Sequence, residues 1–394
     1  MRILISGASI AGPALALWLA RYGFEPTVVE IAPSLRGGGQ AVDFRGEAHF
    51  TVLERMGVLD DLRARRTHGS PMTFVDERGR TRLHLPSDFA AGELEVLRED
   101  IARVYYDHGV RAGARYVFGD SITELHQRDD AVDVTFASGR QERYDLVIGA
   151  DGVHSNVRRL AFPAGEYESY LGYYVATWEL SNYLGLPPGS LNYNVPGRLV
   201  SVGRAYRDAA RAGAFLMFKS DPIAYDRHDV EQQKEILRRA FGDLAWETPR
   251  LLASLADAKE LYFDSISRVD IEPWSTGRVG LVGDAACGAT IGGMGTGTGT
   301  VAAYVLAGEL AQAGGDYRTA FERYERLVRP YAQGTQVGGD RTGKFLAPAT
   351  TFGRMARDGL LSRKFLLNAM LKVGQEVSSK IELPSYVTPV TARN

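Results

Sequence analysis

The stretch RILISGASIAGPALALWLARYGFEPTVVE, residues 2–30, determines how this chain begins to fold. Apolar residues 2–6 predict a short buried strand, and the apolar positions after Ala11 cover most of one helix. The turn between them reads GASIAG, with Gly7, Ser9 and Gly12 at the positions where a dinucleotide-binding loop usually has three glycines. The stretch therefore predicts a strand-turn-helix-strand unit whose helix N-terminus faces a phosphate.

Small residues in this turn suit a nucleotide. Gly7 allows the sharp turn, Ser9 lets the chain approach a pyrophosphate, and Gly12 lets the helix pack tightly on the strand. Glu30 ends the second strand, where its carboxylate can accept hydrogen bonds from an adenosine ribose. The predicted loop comprises Gly7, Ser9, Ile10, Ala11 and Gly12. By itself the motif does not choose between NAD and FAD, and a buried strand-helix unit with incidental glycines is the alternative.

Composition predicts a globular chain of two domains or of one domain with a large insertion. The 394 residues are 45% hydrophobic, which is enough to bury a large core. The 46 basic and 48 acidic residues leave no excess positive charge for nucleic acid or an anionic membrane surface. The single cysteine, Cys287, excludes an intrachain disulfide. The first apolar helix is too short to span a bilayer, so we expect a cytoplasmic protein.

Two later segments also run from a buried strand into a glycine-containing turn. RYDLVIGADGVHSNVRRL, residues 143–160, places Asp151 and Gly152 after a strand, and Asp151 can alternatively cap the following helix. GRVGLVGDAACGATIGGMGTGTGTVAAYVLAGEL, residues 277–310, places Asp284 after a strand and then leads through a glycine-rich loop into a long helix. Three such motifs in this order are far more specific than any one of them.

Together these motifs resemble the FAD-dependent aromatic hydroxylases, the single-component flavoprotein monooxygenases of the para-hydroxybenzoate hydroxylase type. The chain is most similar to the compact branch with tetracycline-inactivating and antibiotic-tailoring monooxygenases. The resemblance extends over nearly the whole sequence, including VLREDIARVYYD from Val96 and IELPSY near the end. It implies an α/β fold with a Rossmann-like FAD-binding domain, an inserted antiparallel-sheet substrate domain and a C-terminal helical tail.

The implied domains are discontinuous in sequence. The FAD-binding domain takes residues 1–72, 98–166 and 264–340, the substrate domain takes 73–97 and 167–263, and 341–394 form a helical brace. Alternating apolar stretches such as AGAFLMFKS predict the inserted sheet. Its aromatic side chains can line an apolar substrate cavity or simply form the core of the sheet. The candidates are Tyr174, Trp178, Tyr193, Phe215, Met217 and Phe218, of which we assign Tyr193, Phe215 and Met217 to substrate.

The resemblance also implies roles for individual residues. Glu30 would bind the adenosine ribose, Arg98 the phosphate-ribityl region, and Asp284 the pyrophosphate-ribityl side. The helix that starts near Gly295 would direct its positive end at the pyrimidine edge of the flavin. The remaining residues implied at this end are Met294, Gly295, Thr296 and Gly297.

A further group would lie on the side where the nicotinamide enters. Asp151 and Gly152 would bridge the FAD pyrophosphate and the incoming nicotinamide cofactor, whereas Arg36 and Asp43 would lie near the ring. A flexible glycine-rich loop with surface charges is the alternative for the stretch that contains Arg36 and Asp43. Cys287 stands where many relatives have another pattern, and with no histidine nearby in sequence we expect a small buried thiol rather than a nucleophile.

The implied function is that of an FAD-dependent monooxygenase. NADH or NADPH would reduce FAD, and dioxygen would form a flavin C4a-hydroperoxide that hydroxylates an aromatic or polyketide-like small molecule. No residue is identified as a catalytic base, no metal-ligand spacing occurs among the seven histidines, and the oligomeric state is open. The alternatives are epoxidation or Baeyer-Villiger insertion, a reductase or dehydrogenase of the same fold, and a flavin-binding sensor. A halogenase is disfavoured because EPWSTGRV lacks the expected Trp-x-Trp-x-Ile-Pro segment.

Overall fold

The computed structural model describes residues 1–37, 40–87, 92–288, 295–363 and 381–386, with the backbone alone for 337–341. The strands are β1 Arg2–Ser6, β2 Glu25–Glu30, β3 Ala41–Phe44, β4 Met72–Val75, β5 Thr81–Leu85, β6 Leu94–Leu97, β7 Arg115–Phe118, β8 Ile122–Gln127, β9 Val132–Phe136, β10 Gln141–Tyr144, β11 Leu146–Gly149, β12 Glu168–Ser181, β13 Ser190–Val195, β14 Arg198–Arg204, β15 Arg211–Lys219, β16 Leu261–Val269, β17 Ser275–Thr276 and β18 Val279–Leu281. The helices are α1 Ala11–Arg21, α2 Gly46–Met56, α3 Leu59–Arg63, α4 Arg98–Arg111, α5 Asn156–Ala161, α6 Val230–Phe241, α7 Thr248–Ser254, α8 Asp284–Cys287, α9 Gly295–Gln312, α10 Tyr317–Leu346 and α11 Thr351–Leu361, with a 3-10 turn at Leu255–Asp257.

A six-stranded sheet forms the centre of the first layer. Its order is β17-β18-β11-β1-β2-β7, and all neighbours are parallel except the short β17. The central strands are apolar and fully buried because helices cover the sheet. The strand predicted at residues 2–6 and the helix predicted from Ala11 are both confirmed. The carboxyl ends of β1, β2, β11 and β18 meet at one edge, where ligands of such sheets bind.

A seven-stranded sheet forms the second layer, in the order β16-β12-β15-β14-β13-β4-β5. Its neighbours are antiparallel except β13 and β4, which run parallel, so the predicted antiparallel sheet is mixed. The physical reason is the long connection between β4 and β13, since only a short hairpin obliges two strands to run antiparallel. The other two sheets are the antiparallel sets β10-β9-β8 and β3-β6.

Strand pairing differs from the predicted domain boundaries at three points. β16 continues across the boundary at 263/264, because it pairs with β12 almost from end to end. β6, assigned to the substrate domain, pairs with β3 and not with the seven-stranded sheet. α10 continues without a break across the boundary at 340/341. The division into domains stays a prediction.

The C-terminal part of the chain touches both layers. Near the end of α10, Gly343 lies so close to Tyr173 of the seven-stranded sheet that an added Cβ would be 2.6 Å from that ring. Farther on, the Tyr386 hydroxyl donates to Glu309 of α9 at 2.7 Å, beside the first layer. These contacts support the predicted brace. Among the described residues, none of the helices combines the length and apolar character needed to cross a membrane.

Candidate cofactor and substrate site

The turn after β1 has no room for side chains at two positions. Gly7 has a φ of +107°, and a Cβ on it would lie 2.6 Å from the Ala150 carbonyl oxygen. A Cβ on Gly12 would lie only 1.9 Å from the Gly7 carbonyl oxygen. α1 then begins with no side-chain cap and no acidic residue in its first turn. Its first amides, which have no partner within the helix, are therefore available to an anion.

Ser9 and Arg98 are joined although they are distant in sequence. Arg98 is the first residue of α4, and its Nη2 donates to the Ser9 hydroxyl oxygen at 2.7 Å. The Ser9 hydroxyl therefore has a structural role that glycine could not fill, because it holds the Arg98 guanidinium beside the turn. Arg98 still has donors to spare for a phosphate or ribityl oxygen.

Glu30 supports the same turn from β2. Its carboxylate accepts the Ala8 amide at 2.8 Å and the Ala32 amide at 3.0 Å, and it lies 3.7 Å from the exposed Arg36 guanidinium. Each carboxylate oxygen keeps a second lone pair, so it can still accept a hydrogen bond from a ribose hydroxyl. The fold places Arg36 beside Glu30. Asp43 lies in β3 and pairs instead with Arg45, which follows that strand. Their predicted positions near a flavin ring stay predictions.

Hydrogen bonds hold the Asp151 carboxylate within the turn that follows β11. Its carboxylate accepts the Ser155 hydroxyl at 2.5 Å, the Val157 amide at 3.0 Å and the Ser6 hydroxyl at 3.3 Å. Desolvation raises its pKa, and these hydrogen bonds oppose the rise. By position the N-cap of α5 is Ser155, whose hydroxyl accepts the Arg158 amide, and Asp151 also caps this helix because its carboxylate accepts the Val157 amide of the first turn. Gly152 has a φ of +85°, a conformation that favours glycine.

Asp284 faces the start of α9. A Cβ on Gly295 would lie 2.9 Å from Oδ1 of Asp284, so the glycine lets this helix end approach the carboxylate. Desolvation raises the pKa of Asp284, while Arg98 lowers it. The missing side chain of Gly297 leaves room for the His49 ring, not for a ligand, since a Cβ there would be 2.1 Å from the ring. Thr296 is half-buried, and Met294 lies outside the described residues.

The side chains of the seven-stranded sheet alternate between two faces. We call the face that packs on α6 and α7 the back face; its cluster contains Tyr193, Val200 and Leu216. The same cluster holds Tyr174, Trp178 and Phe218. Phe215 and Met217 lie on the opposite face, the front face. The structure thus contradicts the prediction that Tyr193 shares a substrate surface with Phe215 and Met217.

One row of the front face stays partly accessible. Tyr262, Thr177 and Phe215 are direct neighbours across three adjacent strands. Phe215 and Thr177 are half-buried and Tyr262 is exposed, whereas Met217 is fully buried in the core beneath the C-terminal helices. Desolvation raises the pKa of the Tyr262 phenol; among nearby charges Asp264 raises it further, Arg98 lowers it and Asp284 raises it. Tyr262, at the edge of the front face, therefore lies within electrostatic reach of Arg98 and Asp284.

Comparisons with known proteins agree with this arrangement. A family model described as an FAD binding domain matches residues 1–335. A flavin-dependent monooxygenase of Legionella longbeachae serogroup 1 (strain NSW150) is 38% identical over 395 residues, covering 98% of this chain and 98% of that protein. The chain belongs to the FAD-binding monooxygenase family. The predicted family, α/β fold and cofactor are confirmed, and the protein is an FAD-dependent monooxygenase.

Solved structures place this monooxygenase in the compact branch. The crystal structure of the tetracycline destructase Tet(51) matches with a TM-score of 0.87 at 34% identity, covering 98% of this chain and 99% of that chain. The tetracycline destructase Tet(55) matches with a TM-score of 0.85 at 35% identity, covering 98% of each chain. The predicted resemblance to that branch is therefore confirmed.

The described residues fit the phosphate-bearing part of FAD. The closed turn at Gly7 and Gly12 lets backbone approach a pyrophosphate, and the uncapped start of α1 supplies amide donors. Arg98 adds a guanidinium that Ser9 holds in place. A negatively charged diphosphate would find both hydrogen-bond donors and a positive charge at this edge of the sheet.

Cys287 of the monooxygenase is not a nucleophile. The thiol is buried and donates to the Gly283 carbonyl oxygen at 3.5 Å. Burial raises its pKa to about 12, and Asp284 contributes to the rise. Because thiolate is the reactive form, the thiol is inert at neutral pH, and the prediction of a small buried cysteine is confirmed.

Sequence reasoning missed a charged cluster between the two layers. His154, which follows Asp151 and Gly152, lies 2.8 Å from Glu168 of β12 and 2.9 Å from Asp264 of β16. Desolvation opposes its charge, but the two carboxylates outweigh this and raise the pKa of His154 to about 9. His154 and Asp264 are 110 positions apart, so no sequence pattern links them.

We expect this cluster to make stability depend on pH. Folding raises the pKa of His154 above its unfolded value of about 6.5. Its contribution to stability is therefore fully present below that value and is lost as the pH rises through about 9. His154→Gln should lower the free energy of unfolding by about 1–2 kcal/mol near pH 6, allowing for partial exposure, and by much less near pH 10. Urea denaturation at both pH values measures this difference.

His126→Gln is the matched control for that experiment. His126 is exposed and lies 3.6 Å from one carboxylate, Glu124, so its replacement should change stability little at either pH. Equal destabilisation by His154→Gln at both pH values would contradict the ionic role of His154.

Proposed function

We propose that this monooxygenase uses NADH or NADPH and dioxygen to hydroxylate an aromatic or polyketide-like small molecule. The observation that carries the proposal is the row Tyr262, Thr177 and Phe215, which combines two hydroxyls with one aromatic ring on the front face. Such a surface suits a phenolic ring system, since it offers an apolar contact together with hydrogen bonds that set orientation. The relatedness to tetracycline destructases favours a multi-ring substrate.

Bound FAD supplies the redox chemistry, accepting hydride from the nicotinamide and activating dioxygen. The residues of the chain position the reactants. Arg98 and the turn at Gly7 and Gly12 would hold the phosphate end of the cofactor. Phe215 would contact the substrate ring, and the Thr177 and Tyr262 hydroxyls would bind its oxygens. Enclosing the substrate between the two layers would exclude water from the reacting atoms.

Turnover assays test this proposal. The purified protein is loaded with FAD, and oxidation of NADH and NADPH is followed with and without oxygen and with a panel of polyketide phenols that includes tetracycline. We expect stimulation of oxygen consumption by the substrate and a product heavier by one oxygen atom. Reduction of the substrate without oxygen would indicate a reductase, and oxygen uptake that no panel member stimulates would contradict the proposed substrate class.

Phe215→Ala should weaken substrate binding without affecting FAD. Loss of one aromatic contact is expected to raise KM by about tenfold, corresponding to about 1.4 kcal/mol. Steady-state kinetics with the best substrate of the panel measure KM, and the flavin absorbance measures FAD content.

Tyr193→Phe is the control on the opposite face of the same sheet. Tyr193 packs against Trp246 and is buried among the back-face residues, so its replacement should leave KM unchanged. If both variants raise KM alike, the assignment of the front face to substrate is wrong.

A further inference from the structure

A chain of buried polar side chains connects α2, α9 and α10. His49 of α2 lies 2.7 Å from the Tyr331 hydroxyl through Nε2. Near the start of α9, the Thr298 hydroxyl donates to the Thr335 hydroxyl of α10, the same helix that carries Tyr331, at 3.3 Å. Thr335 in turn donates to the Ala332 carbonyl oxygen at 2.8 Å. All four side chains are at most a few per cent exposed.

The hydrogen bond between His49 and Tyr331 has a defined direction. The Arg45 amide donates to Nδ1 of His49 at 3.1 Å, so Nδ1 carries no proton. Burial lowers the pKa of His49 to about 4, which keeps the ring neutral and its proton on Nε2. Nε2 therefore donates to the Tyr331 hydroxyl oxygen, while Thr298 donates to Thr335 and Thr335 donates to the Ala332 carbonyl oxygen.

The His49 end of this chain lies beside the segment after β3 and beside the first turn of α9. Its first donor, the Arg45 amide, directly precedes α2 and belongs to the residue that pairs with Asp43. The His49 ring fills the space that a side chain at Gly297 would need, so it packs on the first turn of α9. The chain therefore fixes the start of α9 relative to both α2 and the long helix α10.

We infer that His49 is a positioning residue for the bound flavin, acting through Gly297 and Thr298 to hold the amide end of α9 in place. The inference rests on the proposed function and on the arrangement that the family resemblance implies, in which that helix end would face the pyrimidine edge of the flavin. The positive end of a helix stabilises a nearby negative charge only when it is correctly placed. Reduced flavin carries more negative charge than oxidised flavin, so a displaced helix end binds the reduced form less favourably.

Packing alone does not account for four buried polar side chains. Burying a hydroxyl or an imidazole is unfavourable unless its hydrogen bonds are satisfied, and apolar side chains of similar size would fill the same volume. Directional contacts instead favour one geometry, because a shift of α9 would disturb both the Thr298–Thr335 bond and the packing of His49 on Gly297. That property is expected where the placement of a helix end matters.

The midpoint potential of the bound flavin tests the inference, measured by dye equilibration on FAD-loaded protein without oxygen, nicotinamide or substrate. Tyr331→Phe removes one oxygen and interrupts the chain. We expect reduced FAD to lose about tenfold in affinity relative to oxidised FAD, which lowers the two-electron potential by about 30 mV. His49→Gln should act in the same direction. Thr335→Ser, which keeps the hydroxyl, should retain the wild-type potential.

His108→Gln is the matched control. His108 lies on α4, is largely buried and accepts or donates one bond to Asp61 at 2.7 Å, so its replacement should leave the potential unchanged. A lower Tm of Tyr331→Phe with an unchanged potential would overturn the inference and leave a purely structural chain. If His49→Gln does not fold, the midpoint potential of Tyr331→Phe alone tests the inference. Failure of the proposed function would appear separately, as absence of oxygen-dependent turnover in the wild-type protein.

Discussion

Gly12→Ala will destabilise the protein and abolish FAD binding. The new Cβ would lie 1.9 Å from the Gly7 carbonyl oxygen, so the backbone of the turn must move apart from α1. Overpacking of this kind costs about 3 kcal/mol in the free energy of unfolding. The same displacement opens the turn that must approach the pyrophosphate. Urea denaturation and the flavin-to-protein absorbance ratio of the purified variant measure the two effects.

Gly359→Ala is the control for this substitution. Gly359 also lies in a helix, α11, but a Cβ there meets open space. Alanine should therefore stabilise the protein by about 0.5–1 kcal/mol, the usual gain when glycine leaves a helix interior. A Gly12→Ala variant that is as stable as wild type and retains FAD would show that the turn does not carry the cofactor.

Arg98→Ala will weaken FAD binding by about 100-fold while the protein remains folded. The substitution removes the guanidinium that bonds to Ser9 and faces Asp284, and loss of a charge-assisted bond to phosphate or ribityl oxygens is worth about 2–3 kcal/mol. The Kd of Arg98→Lys for FAD should lie between those of the wild-type protein and Arg98→Ala, because an ammonium keeps the charge but not the paired donors. Fluorescence titration of the apoprotein with FAD gives Kd.

Arg103→Ala on the same helix is the control for Arg98→Ala. Arg103 is exposed and stacks over Tyr106, at 5.6 Å from the ring centroid. Its removal should leave Kd for FAD unchanged. If both variants lose FAD equally, the effect comes from α4 as a whole and not from the guanidinium beside the turn.

Local patterns predicted the parts of the site that depend on neighbouring residues. Gly7 and Gly12 lie within one turn, and the apolar residues around them specify a strand and a helix without reference to the rest of the chain. Arg98 and Asp284 came from a resemblance, and the structure brings both to the same turn. The role of Ser9 as the anchor of Arg98 required the fold, because 89 positions separate the two.

Patterns of alternation left the substrate surface undecided. The stretch AGAFLMFKS, residues 212–220, predicts a strand with two faces, but alternation does not say which face meets the cofactor. The helices α6 and α7 cover the face of Tyr193 and leave Phe215 and Thr177 on the other. Thr177 was missed because a small polar residue in an apolar strand carries no signal until its face is known.

The sequence by itself determined the family and the cofactor and predicted the turn that would hold its phosphates, since these depend on short motifs whose geometry is local. Only the tertiary structure decided which residues share a face of the seven-stranded sheet, and which distant side chains meet. The contact between His49 and Tyr331 joins segments 282 positions apart, and the contact between His154 and Asp264 joins segments 110 positions apart. Such contacts arise from the packing of whole helices and strands, and no short stretch of sequence specifies that packing.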